Sequence, residues 1–330
     1  MAAHVATPAR RRRPFVRRNV RPLLAYACFL PLLGLYIGLL PRFGPAQVTS
    51  IANQGATLSI AGMGQTIVIL TGGVDLSVGP VVALTNSLAA TLMSASGGSV
   101  LLVVAGVLLV GALCGLINGL LVAFGRLQPI VVTLATASIY GGLALFVRPN
   151  PGGFVPQWYT ELITGTIAGV LPSSLVLLAL LVVFWLPFRR TRLGTSIYAV
   201  GSSEGAAYMS GVGVRWSKVW AYTLAGLFSG LAGLFFTAQT ATGDALSGNV
   251  YTLNSVAAVV LGGTSLAGGS GGYIGTIAGA YVLSIIVSVL FFLGVSPFYQ
   301  TLFQGLILLL VVALSSLHVL RIKNRLEALA

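Results

Sequence analysis

The chain has 330 residues, of which 56% are hydrophobic and 7% charged, and its mean hydropathy is +0.97. An ordinary globular domain carries about 25% charged residues, so this chain has too little charge to cover a water-facing surface, and lipid is its solvent. The net charge of +13 sits at the chain ends and in short loops with no basic face interleaved with aromatics, which sets nucleic acid aside as a partner.

Residues 1–21 form a basic tail. Its Arg12-Arg13-Pro14-Phe15-Val16 is similar to a twin-arginine export signal. A basic anchor before a first span accounts for it better, because a chain with many later spans has no need of that route. A spanning helix needs roughly 20 apolar residues, and the charge-free runs supply them in order. Residues 22–41 give one, and 43–74 give one behind a polar approach. Residues 76–125 give two, with a break near Ser94 to Ser99, and 127–147 give one. Residues 162–188 give one that starts near Gly169, and 219–243 give one. Residues 245–320 give three, with breaks near Gly268 to Gly272 and Gly294 to Pro297. The expected fold is an all-α integral membrane protein of about ten transmembrane helices over 22–320, followed by a C-terminal tail over 321–330. The glycine-rich stretch 262–272 also reads as a broken or re-entrant segment, so nine or eleven spans stay open.

Orientation follows from charge. With both termini in the cytoplasm, 16 of the 18 basic residues fall inside, and only Arg42 and Arg148 fall outside, beside Glu161 and Asp244. This is the Lys/Arg bias of cytoplasmic loops. It places residues 149–168 and 240–250 outside and the hydrophilic loop 189–218 inside.

Glycine totals 42 and recurs at spacings of three or four, as in Gly226, Gly230 and Gly233, or Gly271, Gly275 and Gly279. Small residues so spaced let helix backbones approach closely. Residues 72–79 and 262–269 share the pattern GG-x-x-L-x-x-G, which reads either as an internal repeat or as chance in so glycine-rich a chain. Cys28 and Cys114 lie in separate apolar runs and predict no disulfide. His4 and His318, at opposite ends, predict no metal site.

The chemistry that is missing narrows the function. No G-x-x-x-x-G-K-[ST] loop is present and the only lysines are Lys218 and Lys323, so the chain is not expected to hydrolyse ATP or to hold a cofactor. Five acidic residues leave few candidates for acid–base catalysis or proton coupling, although a sodium site built from backbone carbonyls stays open. The spans carry uncharged amides instead, and Asn53, Gln65, Asn118, Gln239 and Asn254 are the candidates for lining a pathway. Amides and hydroxyls exchange hydrogen bonds with a polyol but do not neutralise a charge, and helix–helix hydrogen bonding is their competing role. Asp75, after two glycines at a helix junction, is expected to cap the next helix; pairing with a base or gating a pathway are the alternatives.

Three segments carry a resemblance. ILTGGVDLSVG over 69–79, AVGSSEGAAYMSGVGV over 199–214, and VVLGGTSLAGGSGGYIGTIAG over 259–279 followed by LGVSPFYQTLFQGLILLL stand in this order. The chain resembles, over residues 48 to 320, the ribose/xylose/galactoside-type permeases of bacterial ABC importers. The resemblance implies a subunit of the bacterial inner membrane that forms the pathway for a monosaccharide or similar small neutral solute. It implies as partners a cytoplasmic ABC ATPase, a periplasmic or extracellular solute-binding protein, and a second permease copy or paralogue, within membrane lipid. It marks Gly72, Gly73, Asp75, Ser77 and Gly79 as a signature turn. It marks Gly201, Glu204, Ala206, Ala207 and Gly211 as an ATPase-docking element like the family's EAA loop, with the two alanines expected in a groove of the ATPase. A solvated basic loop is the plain alternative, and apolar Ile197, Tyr198, Val200, Tyr208 and Met209 argue against it. A branched-chain amino-acid-type ABC permease, a self-sufficient secondary carrier and a membrane-bound enzyme are the competing functions.

Overall fold

The computed structural model describes residues 15–93 and 97–296, with 299, 302, 303, 305, 306 and 309. The C-terminal tail, most of the N-terminal tail and nearly all of the last apolar segment lie outside the described residues. α1 (Phe15–Leu39) runs beside α13 (Tyr273–Phe292). Tyr26 Oη donates to the Ile274 carbonyl at one end, and Tyr36 packs edge-on against Phe292 at the other. α2 (Pro45–Gln54) and α3 (Ala56–Leu70) break at Gly55, where a side chain would collide with the Tyr281 ring. α4 (Val78–Leu92), α5 (Gly97–Ala123) and α6 (Pro129–Val147) follow.

The 157–172 segment holds structure that charge counting does not foresee. A short helix, α7 (Gln157–Thr164), is followed by a two-residue antiparallel hairpin, β1 (Thr166–Ile167) and β2 (Leu171–Pro172). α8 (Ser173–Phe188) therefore starts four residues after Gly169, fixed by Pro172 at its N-cap. Next come α9 (Arg192–Ser202), α10 (Glu204–Met209), α11 (Val214–Thr240), a 3-10 turn (Ser247–Asn249) and α12 (Val250–Leu261).

Every residue of α3 is buried, as expected of a helix that is apolar all round and central to a bundle. The main core about it gathers Ile60, Ile67, Trp185, Phe235 and Tyr273 from α3, α8, α11 and α13. α5 and α6 lie outermost and expose large apolar side chains, Leu102 at 76% and Phe146 at 86%, a surface suited to lipid rather than water. Glycines make the closest seam: a Cβ at Gly111, Gly115 or Gly119 of α5 would run into the α11 backbone at Gly226, Tyr222 or Val219. Gly275 and Gly279 face Gly262 and Ala258 in the same way. Gly271 does not belong to that stripe; it lies in the loop before α13, at φ 126°.

The helices alternate between two faces. α9 and α10 mark the near face, where one cavity is lined from the end of α5, the start of α6 and the start of α11. At the far face Arg148 Nε donates to Thr91 Oγ1, Gly152 pairs with Gly243, and the Phe154 N–H reaches the Ala90 carbonyl. The described helices long and apolar enough to cross a membrane number four, Ser99–Ala123, Pro129–Val147, Val214–Thr240 and Tyr273–Phe292; α8 with α9, bent by 77°, makes a fifth. α4 and α12 fall short, at 15 and 12 residues, and α12 is entered from within the bundle: a side chain on Gly248, just before it, would collide with the Gly79 carbonyl and the Ala83 amide in the first turns of α4.

Candidate functional site

Three glycine-terminated helix ends build the near-face site. α3 ends at Thr71 with Gly72 at φ 83°, and the N–H groups of Gly72 and Gly73 return to the Ile69 and Val68 carbonyls. α12 ends alike, with Gly263 at φ 87° and the N–H groups of Gly263 and Thr264 returning to Val260 and Val259. α10 ends the same way on Gly211, φ 79°, with Gly211 and Val212 returning to Tyr208 and Ala207. Each is a Schellman cap, whose left-handed residue is glycine because a Cβ is penalised there. The GG-x-x-L-x-x-G pattern pairs Gly72 with Gly262, whereas the caps pair Gly72 with Gly263. The two turns share a way of ending a helix, one residue out of the sequence register.

The first two ends meet. The Leu70 carbonyl, left without a helical partner at the end of α3, accepts the Gly269 N–H at 3.0 Å. Gly201, near the end of α9, lies against both: a Cβ there would overlap the Leu70 carbonyl and crowd the Gly269 amide. Tyr198 Oη of α9 donates to the Gly271 carbonyl at 2.8 Å. The structure thus joins the three segments marked in the sequence, 69–79 at Gly72, 199–214 at Gly201 and 259–279 at Gly268 and Gly269. The sequence marked those two glycines only within the 259–279 segment and Tyr198 only as an apolar residue of the docking loop, and the LAGGSGG run was the signal that could have singled them out.

α10 stands on this platform. Ser203 caps it, with Oγ accepting the Ala206 N–H. Glu204, in the first turn, suits the helix dipole but pairs within the chain, with Lys218 Nζ at 2.7 Å. Ala206 is exposed, while Ala207 is turned inward and packs with Val200 and Val214. The expectation that both alanines face a partner therefore fails for Ala207, because its side of α10 is the one that packs against Val200 of α9 and Val214 of α11. The outward residues are Tyr208 and Met209, 73% and 86% exposed.

Asp75, Ser77 and Asn118 form a chain of hydrogen bonds inside the protein. Asp75 Oδ1 accepts the Ser77 N–H at 2.8 Å and the Ser77 hydroxyl at 2.6 Å, and Asn118 Nδ2 donates to Ser77 Oγ at 2.8 Å. All three are buried. Among the described residues Asp75 has no ion pair; the positive end of α4, beginning at Val78, lies beside it instead. Gly79 lets α4 approach Thr252 and Gly248, so the N-terminal ends of α4 and α12 lie side by side. Tyr222 of α11 closes the group: a Cβ on Gly73 would stand 2.5 Å from its hydroxyl, which has no hydrogen-bond partner among the described residues. Nothing in the sequence marked Tyr222.

The amides expected to line a pathway divide into two sets. Gln65 is fully buried with both amide atoms unpartnered among the described residues, Asn118 is fully buried, and Asn53 Nδ2 donates to the Thr164 carbonyl of α7 at 2.7 Å. Gln239 is exposed and accepts from Thr57 Oγ1 at 2.9 Å, and Asn254 is partly exposed on α12. Among the described residues no group of His, Cys, Asp and Glu could hold a metal ion. Cys28 and Cys114 are free.

Residues 47–312 match the family described as branched-chain amino acid transport system / permease component. The chain is 37% identical to the ribose import permease protein RbsC of Bacillus subtilis over 294 residues, 86% of this chain and 91% of that protein. It is 34% identical to the Escherichia coli K12 protein of the same name, over 91% and 95% of the two chains. It is 31% identical to the D-allose transport system permease protein AlsC of Escherichia coli K12, over 82% and 83%. No solved structure gives a significant match.

Proposed function

Because the chain belongs to the branched-chain amino acid transport system / permease component family, we propose that it forms the pathway of an ABC importer for a monosaccharide or similar small neutral solute. The observation that carries the solute class is the similarity, over more than four-fifths of both chains, to permeases named for ribose and D-allose. A permease component is a transport subunit and not itself an enzyme, and it sits in the bacterial cell membrane. The interior agrees with a neutral solute: Asp75 is the one buried charged side chain among the described residues, and it is held by Ser77 and the α4 end.

The proposed layout has ten spans over 22–320, both termini in the cytoplasm, and the near face cytoplasmic. The alternation of the described helices and the 16-to-2 partition of basic residues support it. A cytoplasmic ATPase docks on α10 through Tyr208, Met209 and Ala206. Its motion passes through α9 and Gly201 to the ends of α3 and α12, since a short helix bonded to helix ends transmits a push that a loose loop would absorb. A solute-binding protein delivers from the far side, and a second permease copy completes the pathway. Asn254 and Gln239, the more exposed amides, are the candidates for lining it; Asn53 and Asn118 tie segments of the chain together, and Gln65 is buried with no hydrogen-bond partner among the described residues.

The family's description favours a second reading, a branched-chain amino acid as the solute. A zwitterion would require charged partners along the pathway, whereas the candidate groups are amides and hydroxyls. Proteoliposomes holding the permease with its ATPase and binding protein should accumulate labelled ribose, allose or galactose on ATP addition. Accumulation of leucine with no uptake of any of these sugars would reverse the assignment.

A further inference from the structure

The near face holds a cavity of about 830 Å³ between the α5–α6 turn, α10 and the first turn of α11. Arg126, Arg215, Lys218 and Glu204 line it. Glu204 neutralises Lys218, and among the described residues Arg126 and Arg215 have no carboxylate partner. Arg126 is also held at φ 54°, a left-handed conformation that an arginine adopts only at a cost. This strain fixes a cation at the turn where a glycine would be relaxed. The N-terminal end of α11 adds its own positive potential to the same space.

The cavity wall is continuous with the lipid-facing surface. Leu127 and Trp216 line it and are 51% and 58% exposed. Trp216 stacks edge-on with Phe124, over whose ring the Arg215 guanidinium lies at 5.7 Å. Trp220, one helical turn further along α11, is 50% exposed. Trp and Tyr at such positions mark the membrane–water boundary. A basic pocket at that level, opening onto apolar side chains, has the two-part chemistry of a phospholipid: an anionic headgroup beside acyl chains.

We infer that this cavity binds the headgroup phosphate of an anionic phospholipid, with Arg126 and Arg215 as its cations and the Phe124–Trp216–Trp220 surface carrying the acyl chains. A soluble anion would use the arginines alone. A docked acidic protein segment would use the arginines without the apolar rim.

The purified full-length chain in neutral detergent tests this by native mass spectrometry and thermal melting. Phosphatidylglycerol should stay bound and raise the melting temperature, and phosphatidylcholine with the same acyl chains should do neither. The paired substitution Arg126→Gln and Arg215→Gln should weaken phosphatidylglycerol retention about thirtyfold, since each basic group near an anionic membrane surface contributes about 1 kcal/mol. Equal retention of the two lipids by the unaltered chain would overturn the proposal, whatever the variant does. An equal shift from millimolar inorganic phosphate would overturn it in favour of a soluble-anion site. A variant that keeps its lipid preference but no longer co-purifies with the ATPase would overturn it in favour of protein docking.

Discussion

Asp75 takes a carboxylate to a depth where, among the described residues, no basic side chain meets it. Its two hydrogen bonds from Ser77 and the α4 end must supply the stabilisation. Asp75→Asn keeps an acceptor for Ser77 and loses the charge that complements the dipole, at about 1 kcal/mol. Asp75→Ala also strands the buried Ser77 N–H and hydroxyl, which costs a further 1–3 kcal/mol or so. Thermal melts of the two variants in one detergent should rank Asn well above Ala; identical melts would show that the carboxylate does not organise this turn. Gly201 is a different kind of position, because its neighbours are backbone atoms that cannot rotate away. Gly201→Val should destabilise the chain by about 1–3 kcal/mol and abolish uptake at normal membrane insertion. Normal uptake by that variant would remove α9 from the coupling route.

α10 shows how an element is read correctly in kind and wrongly in facing. The resemblance marked a docking element in the 199–214 segment, and the structure has a short helix there at Glu204–Met209. Six residues are too few for a periodicity to reveal which side is buried, so Ala207 was expected to face outward with Ala206. Ala207→Glu should therefore lower the melting temperature of the permease alone, by burying an unpaired charge against Val200 and Val214. Replacing Tyr208 and Met209 together by alanine should leave that melt unchanged while weakening ATPase co-purification at least tenfold, the scale of interface anchors. The reverse pattern would put the docking face on the other side of α10. The longer helices were legible because charge-free runs and glycine breaks set their ends; the expected 76–125 pair and 127–147 appear as α4, α5 and α6. α12 was legible as the first of the three helices expected in 245–320 but not as a helix of only 12 residues, since a count of apolar residues along the chain says nothing of the depth at which a helix begins. The α7 segment and its hairpin were missed because length and charge describe them only as a loop. The polar amides were legible as a set, but their division into internal ties and reachable groups depends on neighbours from distant segments, as with Asn53 and Thr164.

For the whole molecule, the near and far faces differ in charge as well as in structure. Arg126, Arg189, Arg190, Arg192, Arg215 and Lys218 lie at or beside the ends that form the near face, whereas Arg148, Glu161 and Asp244 lie at the far face with α7 and the α11–α12 connection. A bundle with this asymmetry is held in one orientation, because short loops rich in Lys and Arg stay in the cytoplasm. Exposed positions on each face make the orientation measurable. Gln157 on α7 and Thr195 on α9 are both exposed, whereas Thr160 is half-buried and would label slowly. Cys28 is exposed and must first be replaced by serine, while Cys114 is buried and unreactive by access. In intact cells, a membrane-impermeant maleimide should then label Gln157→Cys and spare Thr195→Cys. Permeabilisation should admit the reagent to the second site. Labelling of both in intact cells, or of neither, would break the proposed alternation between α7 and α9, where a single helix, α8, has to carry the chain from one face to the other. Labelling of Thr195→Cys alone would keep the alternation and invert the molecule. The ATPase would then have to dock on the face that carries Arg148 and Glu161, against the charge rule and away from α10.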